Sequence, residues 1–442
     1  MNKLKQIPVV SKELLFPFII ITSLFALWGI ANDLTNPMVS AFKKVMPELS
    51  NVQASLVQFA FYFGYFFMAL PGALFIRKYS YKSGIILGLS LYAIGAFLFY
   101  PAAVNEEFNY FLISLWVITC GLAFLETTSN PLILMLGDKR TATQRLNLAQ
   151  AFNPIGSLTG MIIAQVFVIG ALRSDDYTKE AYNALSSDEL AVIRENDLGI
   201  ISVPYIALGV LVLIIMAIII FTKMPVTAEN DKISLSESFR KLFSNKNYLH
   251  GVLTQAFYVG AQIMCWTYIF QYVDNLNESD GTEYTATYFN IVAMISFLVG
   301  RWIGTALMKK VNPSKLLMYF GIGGVMCCAG AILLPGIIGL ISLVAISVFM
   351  SIMFPTIYGI ALKDMGDEAK IGSAGLVMAI VGGALMPVLQ GSILDWGGDG
   401  FADVQLLGFI PEVKFSFILP LICLAMVAFY GYRTQKSSEL IK

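Results

Sequence analysis

The sequence predicts an all-α membrane protein with twelve transmembrane helices in two pseudo-symmetric six-helix bundles. Of its 442 residues, 57% are hydrophobic and 13% are charged, whereas soluble proteins carry about 25% charged residues. Apolar runs of about 20 residues, long enough to cross the hydrocarbon core of a bilayer, recur along the whole chain. The predicted spans are 16–40, 54–76, 82–101, 109–136, 146–170, 201–222, 249–272, 285–308, 315–334, 337–362, 372–394 and 413–432.

The distribution of basic residues orients these spans. Of the 29 Lys and Arg residues, 22 lie in the two tails and in the links that follow even-numbered spans. Because Lys and Arg are enriched in cytoplasmic loops, both termini are expected in the cytosol. The formal net charge is zero, which gives no reason to expect a nucleic-acid partner.

The longest cytosolic link divides the spans six and six. It predicts an N-terminal bundle over residues 1–222, a linker over 223–247 and a C-terminal bundle over 248–442. Within the linker, the segment "ISLSESFRKLF" places Leu235, Phe239, Leu242 and Phe243 on one helical face. Such an apolar face, with basic residues beside it, is typical of a helix that lies on the inner membrane surface.

Two similar basic turns indicate that the halves are repeats. The chain reads "GALFIRKYSYKSG" from Gly72 and "GTALMKKVNPSK" from Gly304. In both segments a glycine is followed, five and six positions later, by two basic residues and then by a third about ten positions on. Parallel repeats of six spans are a transporter architecture.

Two predicted spans contain a carboxylate close to an Asn-Pro step. Asp33 lies in "ANDLTNP" of helix 1, and Glu126 lies in "LETTSNP" of helix 4. A charge at the centre of a lipid-facing helix costs about 2.5–3.5 kcal/mol, so these side chains should face protein or a water-filled cavity. Because desolvation raises the pKa of a carboxylate, a bound proton near neutral pH is reasonable. The alternative is a permanently protonated carboxyl that bonds a neighbouring helix.

The prolines of these segments predict weakened helices. A proline has no N–H to donate to the carbonyl four residues earlier, and its ring pushes that carbonyl aside. Pro37, Pro131 and Pro154 therefore release the carbonyls of Asp33, Thr127 and Gln150. Such backbone is tolerated within a membrane where it lies against protein or cavity water. Each step could also be a kink that only aids packing.

Amide and aromatic side chains form stripes on several helices. Amides donate and accept hydrogen bonds, and aromatic rings offer flat apolar faces. A polyhydroxylated ligand with C–H faces requires that combination, although a single amide is more often a contact between helices. Helix 2 adds Tyr62 to the stripes. The candidate binding residues are Asn36, Gln58, Asn130, Gln150, Asn153, Gln255, Tyr258, Gln262, Trp266 and Asn290, and helix 5 extends its stripe with Asn147 and Ser157.

The segments "FYFGYFFMALPGAL", "RLNLAQAFNPIGS" and "YVGAQIMCW", together with the basic turns, resemble the major facilitator superfamily and, within it, the fucose/galactose/glucose symporter family. The turn departs from the superfamily's usual form, because Ile76 stands where an aspartate is common. The resemblance implies import of a monosaccharide, L-fucose or a related hexose, by symport with protons and alternating access between the two bundles. It also implies a monomer in a bacterial inner membrane, in contact with the lipid bilayer and without cofactor or metal.

The resemblance further implies roles for the two carboxylates. Glu126 matches the family's coupling residue on helix 4, whereas the family's helix 1 carboxylate falls where this chain has Asn36. Asp33 lies three residues earlier, which shifts it about 4.5 Å along the helix axis. We expect Glu126 to be the main proton-coupling residue and Asp33 to be secondary or a substitute. Gln150, Asn153 and Gln262 match the family's polar motifs on helices 5 and 7.

Other functions remain open from the sequence. They are a Na⁺-coupled sugar symporter, an antiporter of hydrophobic compounds and a sugar sensor that does not transport. The amide stripes argue against the antiporter. An intramembrane enzyme is not favoured, because the chain has a single histidine and neither a serine-elbow motif nor a phosphate-binding loop. The sequence does not choose among fucose, galactose and glucose.

Overall fold

The computed structural model describes residues 7–35, 38–46, 48–49, 51–177, 182, 185–224, 234–281, 283–394, 405–406 and 410–439. These residues are almost entirely helical. The helices of the first 221 residues are α1 Leu15–Thr35, α2 Met38–Val45, α3 Asn51–Lys78, α4 Tyr81–Phe97, α5 Phe99–Val104, α6 Phe108–Met135, α7 Ala142–Gln150, α8 Asn153–Ile163 and α9 Ser187–Phe221.

The remaining helices begin at Leu235. They are α10 Leu235–Ser244, α11 Lys246–Thr267, α12 Ile269–Asp280, α13 Ala286–Leu307, α14 Pro313–Leu333, α15 Gly336–Met350, α16 Met353–Ala361, α17 Ala369–Met378, α18 Gly382–Leu394, α19 Glu412–Ser416 and α20 Ile418–Glu439. Between α18 and α19, β1 (Gln405–Leu406) pairs antiparallel with β2 (Ile410–Pro411), with Leu406 opposite Ile410.

Eleven helical stretches among the described residues are long and apolar enough to cross a membrane. The seventh predicted span, 249–272, is not one of them, although α11 and α12 cover it. Polar residues such as His250, Gln255 and Gln262 lower the hydropathy of α11. The polar face that makes this helix a candidate for ligand binding therefore also weakens its signal as a membrane span.

Helix breaks occur at two prolines. Span 5 is interrupted between α7 and α8, and span 10 between α15 and α16. Pro154 and Pro355 lie in the first turn after these breaks, because proline is tolerated there but cannot continue a helix through its own N–H. Pro131, in contrast, lies inside α6, which continues without a break.

The chain packs into two compact units. The first, called here the C-terminal unit, contains Met1–Val10, Gly137–Ala151 and Lys232–Lys442. The second, called the N-terminal unit, contains Ser11–Leu136 and Phe152–Asp231. Span 5 thus contributes α7 to the C-terminal unit and α8 to the N-terminal unit. The sequence-based division at residues 223–247 stays a prediction.

Small residues bring α1 and α8 together in the N-terminal unit. A Cβ atom added to Gly156 would lie 1.9 Å from the carbonyl oxygen of Ala26, and one added to Gly29 would lie 2.1 Å from that of Asn153. Real Cβ atoms do not approach that closely, so only glycine permits this backbone contact. Close approach through small residues is a common way for membrane helices to associate.

The sixth span begins earlier than predicted. α9 starts at Ser187 rather than near residue 201. A capping box formed by Ser186 and Glu189 explains this start, because it satisfies N–H groups that a helix end leaves without partners. Farther along, the buried carboxylate of Asp197 accepts from the backbone N–H groups of Arg173 and Ser174, each at 2.9 Å. The outer link is thereby attached to the helix.

The predicted linker contains the helix α10. Ser234 caps its N-terminus by accepting from the N–H of Glu237 at 3.2 Å. Leu242 is buried against the helix α17, whereas Phe243 is 69% exposed. Lys241 also forms an ion pair with Glu368 at 3.0 Å. The described part of the linker is therefore attached to the C-terminal unit through one edge of its helix.

A short capped turn precedes α7. Asp138 accepts from the backbone N–H of Arg140 at 2.8 Å and from its guanidinium. These hydrogen bonds lower the pKa of the half-buried Asp138 carboxyl to about 2. The turn therefore keeps its charged cap throughout the neutral pH range.

Candidate functional site

Asp33 lies in α1 and is 8% exposed. The side-chain amide of Asn32 donates to its carboxylate at 3.4 Å. The phenol of Tyr62, on α3, lies close enough to this carboxylate for the two groups to interact electrostatically. Asn36 and the side chain of Gln58 lie outside the described residues, so their predicted roles stay predictions.

Glu126 lies in α6 and is partly buried. Its backbone carbonyl accepts from the side-chain amide of Asn130 at 3.0 Å, and its carboxylate interacts electrostatically with the buried Tyr65 of α3. Among the described residues, no Lys or Arg forms an ion pair with Glu126. The carboxylate can therefore change its protonation state without breaking an ion pair there.

The helix α3 carries two tyrosines that interact electrostatically with the two carboxylates. Tyr62 interacts with Asp33, and Tyr65 interacts with Glu126. Tyr62 was predicted from the sequence to belong to a polar stripe, whereas Tyr65 was not. The signal was present, because Tyr65 follows Tyr62 at the three-residue spacing that places side chains on one helical face. Tyr65 was nevertheless not recognised as a site residue, because the residues around it in the sequence are apolar.

Asn153 contacts a neighbouring helix of the N-terminal unit. Its side-chain amide donates to the carbonyl of Phe25 in α1 at 3.2 Å. Since the same residue begins α8, this bond fixes the start of α8 against α1. Asn153 therefore has a structural role through its side-chain NH₂ group. Its side-chain oxygen is a separate group that a ligand can still use.

An aromatic cluster lies in the C-terminal unit. The indole N–H of Trp266 donates to the hydroxyl of Ser347 at 3.2 Å, and the side-chain amide of Asn290 donates to the backbone carbonyl of Trp266 at 3.1 Å. The ring of Phe297 meets the indole edge to face, with centroids 5.1 Å apart. These contacts hold the Trp266 ring in one orientation.

Gln255 and Tyr258 are fully buried polar residues of the predicted site, three positions apart on α11. Both are 0% exposed. Neither the amide atoms of Gln255 nor the hydroxyl of Tyr258 has a hydrogen-bond partner within the described structure. Leaving such groups unsatisfied costs about 1–3 kcal/mol each. A bound polar ligand or water would remove this cost. Gln262, one turn farther along α11, is partly buried.

Gln150 is the last residue of α7 and is 5% exposed. Its backbone carbonyl accepts from the guanidinium of Arg301 at 2.9 Å. Arg301 is 3% exposed, and its guanidinium lies 4.5 Å from the ring centroid of Phe297. It also interacts electrostatically with Tyr258. Sequence reasoning gave Arg301 no role, because the carbonyls that it binds are distant along the chain.

The predicted site residues with described side chains fall into two groups. The N-terminal unit holds Asp33, Glu126, Asn130 and Asn153, and the C-terminal unit holds Gln150, Gln255, Tyr258, Gln262, Trp266 and Asn290. The first group contains the titratable carboxylates. The second combines amides with aromatic faces, which is the chemistry that binds a polar ligand with apolar C–H surfaces.

Comparison with known proteins identifies the family. The sequence pattern of the Major Facilitator Superfamily matches residues 14–387. The chain belongs to the major facilitator superfamily. The predicted fold class, twelve spans with the major facilitator fold, is thereby confirmed.

Two curated relatives and one solved structure are similar over nearly their whole lengths. An L-fucose-proton symporter of Haemophilus influenzae is 52% identical over 433 residues, which are 97% of this chain and 98% of the relative. A glucose/galactose transporter of Brucella abortus is 31% identical over 425 residues, which are 94% and 93% of the two chains. A crystal structure of a variant of the Escherichia coli fucose:proton symporter has 31% identity and a TM-score of 0.84, and covers 96% of this chain and 99% of that one.

These relatives confirm the predicted membership of the sugar symporter family within the major facilitator superfamily. They are transporters and not enzymes. This major facilitator is accordingly an integral membrane transporter.

Proposed function

We propose that this transporter imports L-fucose, or a closely related monosaccharide, by symport with protons. The nearly full-length relative with 52% identity is named an L-fucose-proton symporter. The observation in the structure that supports this most directly is the pair Gln255 and Tyr258, whose buried polar atoms lack partners within the described structure. Sugar hydroxyls both donate and accept, so a bound sugar would satisfy an amide and a phenol together.

The aromatic residues of the C-terminal unit support a sugar as the ligand. A pyranose presents C–H groups on its ring faces, and these pack on aromatic rings. Trp266 is oriented by its bonds with Ser347 and Asn290. Phe354 lies 6.4 Å from the Tyr258 ring, measured between centroids. A hydrophobic-compound antiporter would not require this many amides beside the rings.

Proton coupling is assigned to Glu126, with Asp33 as the secondary residue. Glu126 is only partly buried and has no Lys or Arg ion-pair partner among the described residues. Coupling requires that sugar affinity differ between the protonated and deprotonated states, since a ligand with equal affinity for both shifts neither.

The remaining parts of the proposal concern the whole transporter. It is proposed to work by alternating access of bundles 1–222 and 248–442, joined by the linker 223–247. Its proposed location is a bacterial inner membrane, with both termini in the cytosol, as the distribution of basic residues predicts. We propose that it works as a monomer in contact with the lipid bilayer.

A second candidate substrate is glucose or galactose, because the 31% identical Brucella abortus relative is named a glucose/galactose transporter. Competition among sugars would decide. Purified protein in proteoliposomes would take up labelled L-fucose, with unlabelled L-fucose, galactose and glucose as competitors, with and without a pH gradient. We expect L-fucose to compete best and the pH gradient to drive accumulation. Competition by galactose or glucose at lower concentrations would reassign the sugar, and the absence of uptake would contradict transport.

A further inference from the structure

Two spans that are broken at a proline each carry a carbonyl, within the C-terminal unit, that its own helix cannot satisfy. Pro154 has no N–H for the carbonyl of Gln150, and Pro355 has none for the carbonyl of Ser351. Both prolines lie in the first turn after a helix break. Gln150 is 5% exposed and Ser351 is 0% exposed. Buried carbonyls are nearly always hydrogen-bonded, so each of these requires a donor from elsewhere.

One side chain donates to both carbonyls. The guanidinium of Arg301, in α13, donates through Nη1 to the carbonyl of Gln150 at 2.9 Å and through Nε to that of Ser351. A guanidinium has five N–H donors in a planar fork, so a single Arg can serve two acceptors that lie in different directions. An ammonium group is a compact point charge and does not reproduce this geometry.

Further contacts attach α7 to the same helices. The side-chain amide of Gln144 donates to the carbonyl of Thr305 at 3.2 Å. The side-chain amide of Asn147 donates to the hydroxyl of Thr356 at 3.1 Å. Gln144, Asn147 and Gln150 follow one another at three-residue spacing, so one face of α7 is attached to α13 and α16 along its length. Arg301 forms the last contact, at the end of α7.

We propose that Arg301 is a positioning residue that replaces the two hydrogen bonds lost at Pro154 and Pro355, and thereby fixes Gln150 at the end of α7 for ligand binding. This inference rests on the proposed sugar site, since it gives Gln150 a function. The alternative role for a buried arginine is direct contact with the sugar. The two roles predict different effects when the two prolines are replaced.

If Arg301 acts by supplying donors to these carbonyls, restoring the missing backbone N–H groups makes it less necessary. The test compares Arg301→Met, the pair Pro154→Ala with Pro355→Ala, and the combination of all three. Each purified variant is assayed for its melting temperature and for its L-fucose dissociation constant. Pro204→Ala, in α9 of the N-terminal unit, is the matched control, because its helix has no hydrogen bond to Arg301 in the described structure.

Arg301→Met is expected to lower the melting temperature and to weaken L-fucose binding roughly tenfold. Adding Pro154→Ala and Pro355→Ala to Arg301→Met should restore most of the lost melting temperature and most of the lost L-fucose affinity. In the protein that keeps Arg301, the same two substitutions should weaken binding. Adding Pro204→Ala should restore neither. Arg301→Lys should resemble Arg301→Met more than the unsubstituted protein, since charge alone does not supply the fork.

Two outcomes would overturn the inference. In one, Arg301→Met leaves the melting temperature unchanged and loses binding that the proline substitutions do not restore, which would assign Arg301 to direct sugar contact. In the other, Arg301→Met does not fold, and neither does the triple variant, whereas the proline pair alone does. If the unsubstituted protein does not bind L-fucose, the proposed function fails, but the melting temperatures still test whether the prolines and Arg301 are coupled.

Discussion

Glu126 carries the most specific residue-level prediction. Glu126→Gln fixes a neutral side chain that resembles the protonated carboxyl. We expect it to retain sugar exchange in counterflow, to lose accumulation driven by a pH gradient, and to flatten the pH dependence of sugar binding. Both transport modes can be measured with the same proteoliposomes.

A matched control is the buried carboxylate of Asp197, whose oxygens accept from two backbone N–H groups of the outer link. Asp197→Asn should lower the melting temperature, because it replaces one of the two accepting carboxylate oxygens by an NH₂ group. That group cannot accept from the backbone N–H of Arg173 or Ser174. It should leave the pH gradient able to drive uptake. Normal accumulation by Glu126→Gln, with an unchanged pH profile, would show that Glu126 is not the proton carrier.

Asp33→Asn is expected to cause a milder form of the same defects. The sequence resemblance predicts that the family's helix 1 carboxylate corresponds to Asn36, three residues after Asp33, and Asp33 lies in the outer half of its predicted span. Accumulation should be reduced and counterflow should continue. Complete loss of accumulation in Asp33→Asn, together with normal accumulation in Glu126→Gln, would reverse the ranking of the two residues.

Gln255 tests the ligand-binding group. Gln255→Ala should weaken sugar binding by roughly five- to 150-fold, the range that corresponds to one lost buried hydrogen-bonding partner. Its melting temperature without sugar should change little, because the packing lost on truncation is offset by the removal of buried amide atoms that have no partner within the described structure. Isothermal titration and thermal melting provide the two measurements.

Gln390 is the control for this substitution. It is equally buried, and its amide donates to the hydroxyl of Ser416 at 2.9 Å, but it is not one of the predicted site residues. Gln390→Ala should lower the melting temperature and leave sugar affinity unchanged. Unchanged sugar affinity in Gln255→Ala, together with weakened affinity in Gln390→Ala, would exclude Gln255 as a sugar ligand.

At the scale of elements, the contact between α1 and α8 depends on glycine. Gly156→Leu would force a side chain into the carbonyl of Ala26, 1.9 Å from the Cβ position. Overpacking of this kind costs on the order of 1–3 kcal/mol, so the melting temperature should fall clearly. A Cβ atom added to Gly199, in α9, meets no atom within 4 Å. Gly199→Ala should therefore leave the melting temperature unchanged or raise it. Equal stability of the two variants would contradict the packing described for α1 and α8.

The elements also show what sequence patterns can and cannot predict. Hydropathy located the spans, and the chemistry of proline predicted that the carbonyl of Gln150 needs an outside donor. The seventh span, 249–272, was also predicted, although the polar face of α11 makes this helix less apolar than the other spans. The start of α9 was placed too late, because a capping box extended the helix beyond the apolar run.

The partners of individual site residues were less predictable. Arg301 lies about 150 positions from Gln150, and no periodicity connects them. Asn147 was read as part of a ligand-binding stripe, yet it bonds Thr356 across helices. A stripe of amides thus has the same sequence pattern whether it binds a ligand or another helix. Only the tertiary contacts distinguish the two uses.

At the scale of the whole molecule, the family could be recognised from a few segments because they combine unusual polar residues with apolar spans. The repeat of the basic turns and the count of twelve spans predicted the fold class. The sugar and the driving ion could not be read in this way, since several hydroxylated ligands satisfy the same amides and rings. These properties depend on distances finer than a sequence pattern specifies.

The central claim is that sugar and proton move together. The most direct measurement uses proteoliposomes that contain a pH-sensitive dye, in Na⁺-free buffer without an initial pH gradient. External L-fucose should acidify the interior, and Glu126→Gln vesicles should show no acidification although they still exchange the sugar. Uptake of L-fucose without acidification, or uptake that appears only when Na⁺ is added, would contradict proton symport.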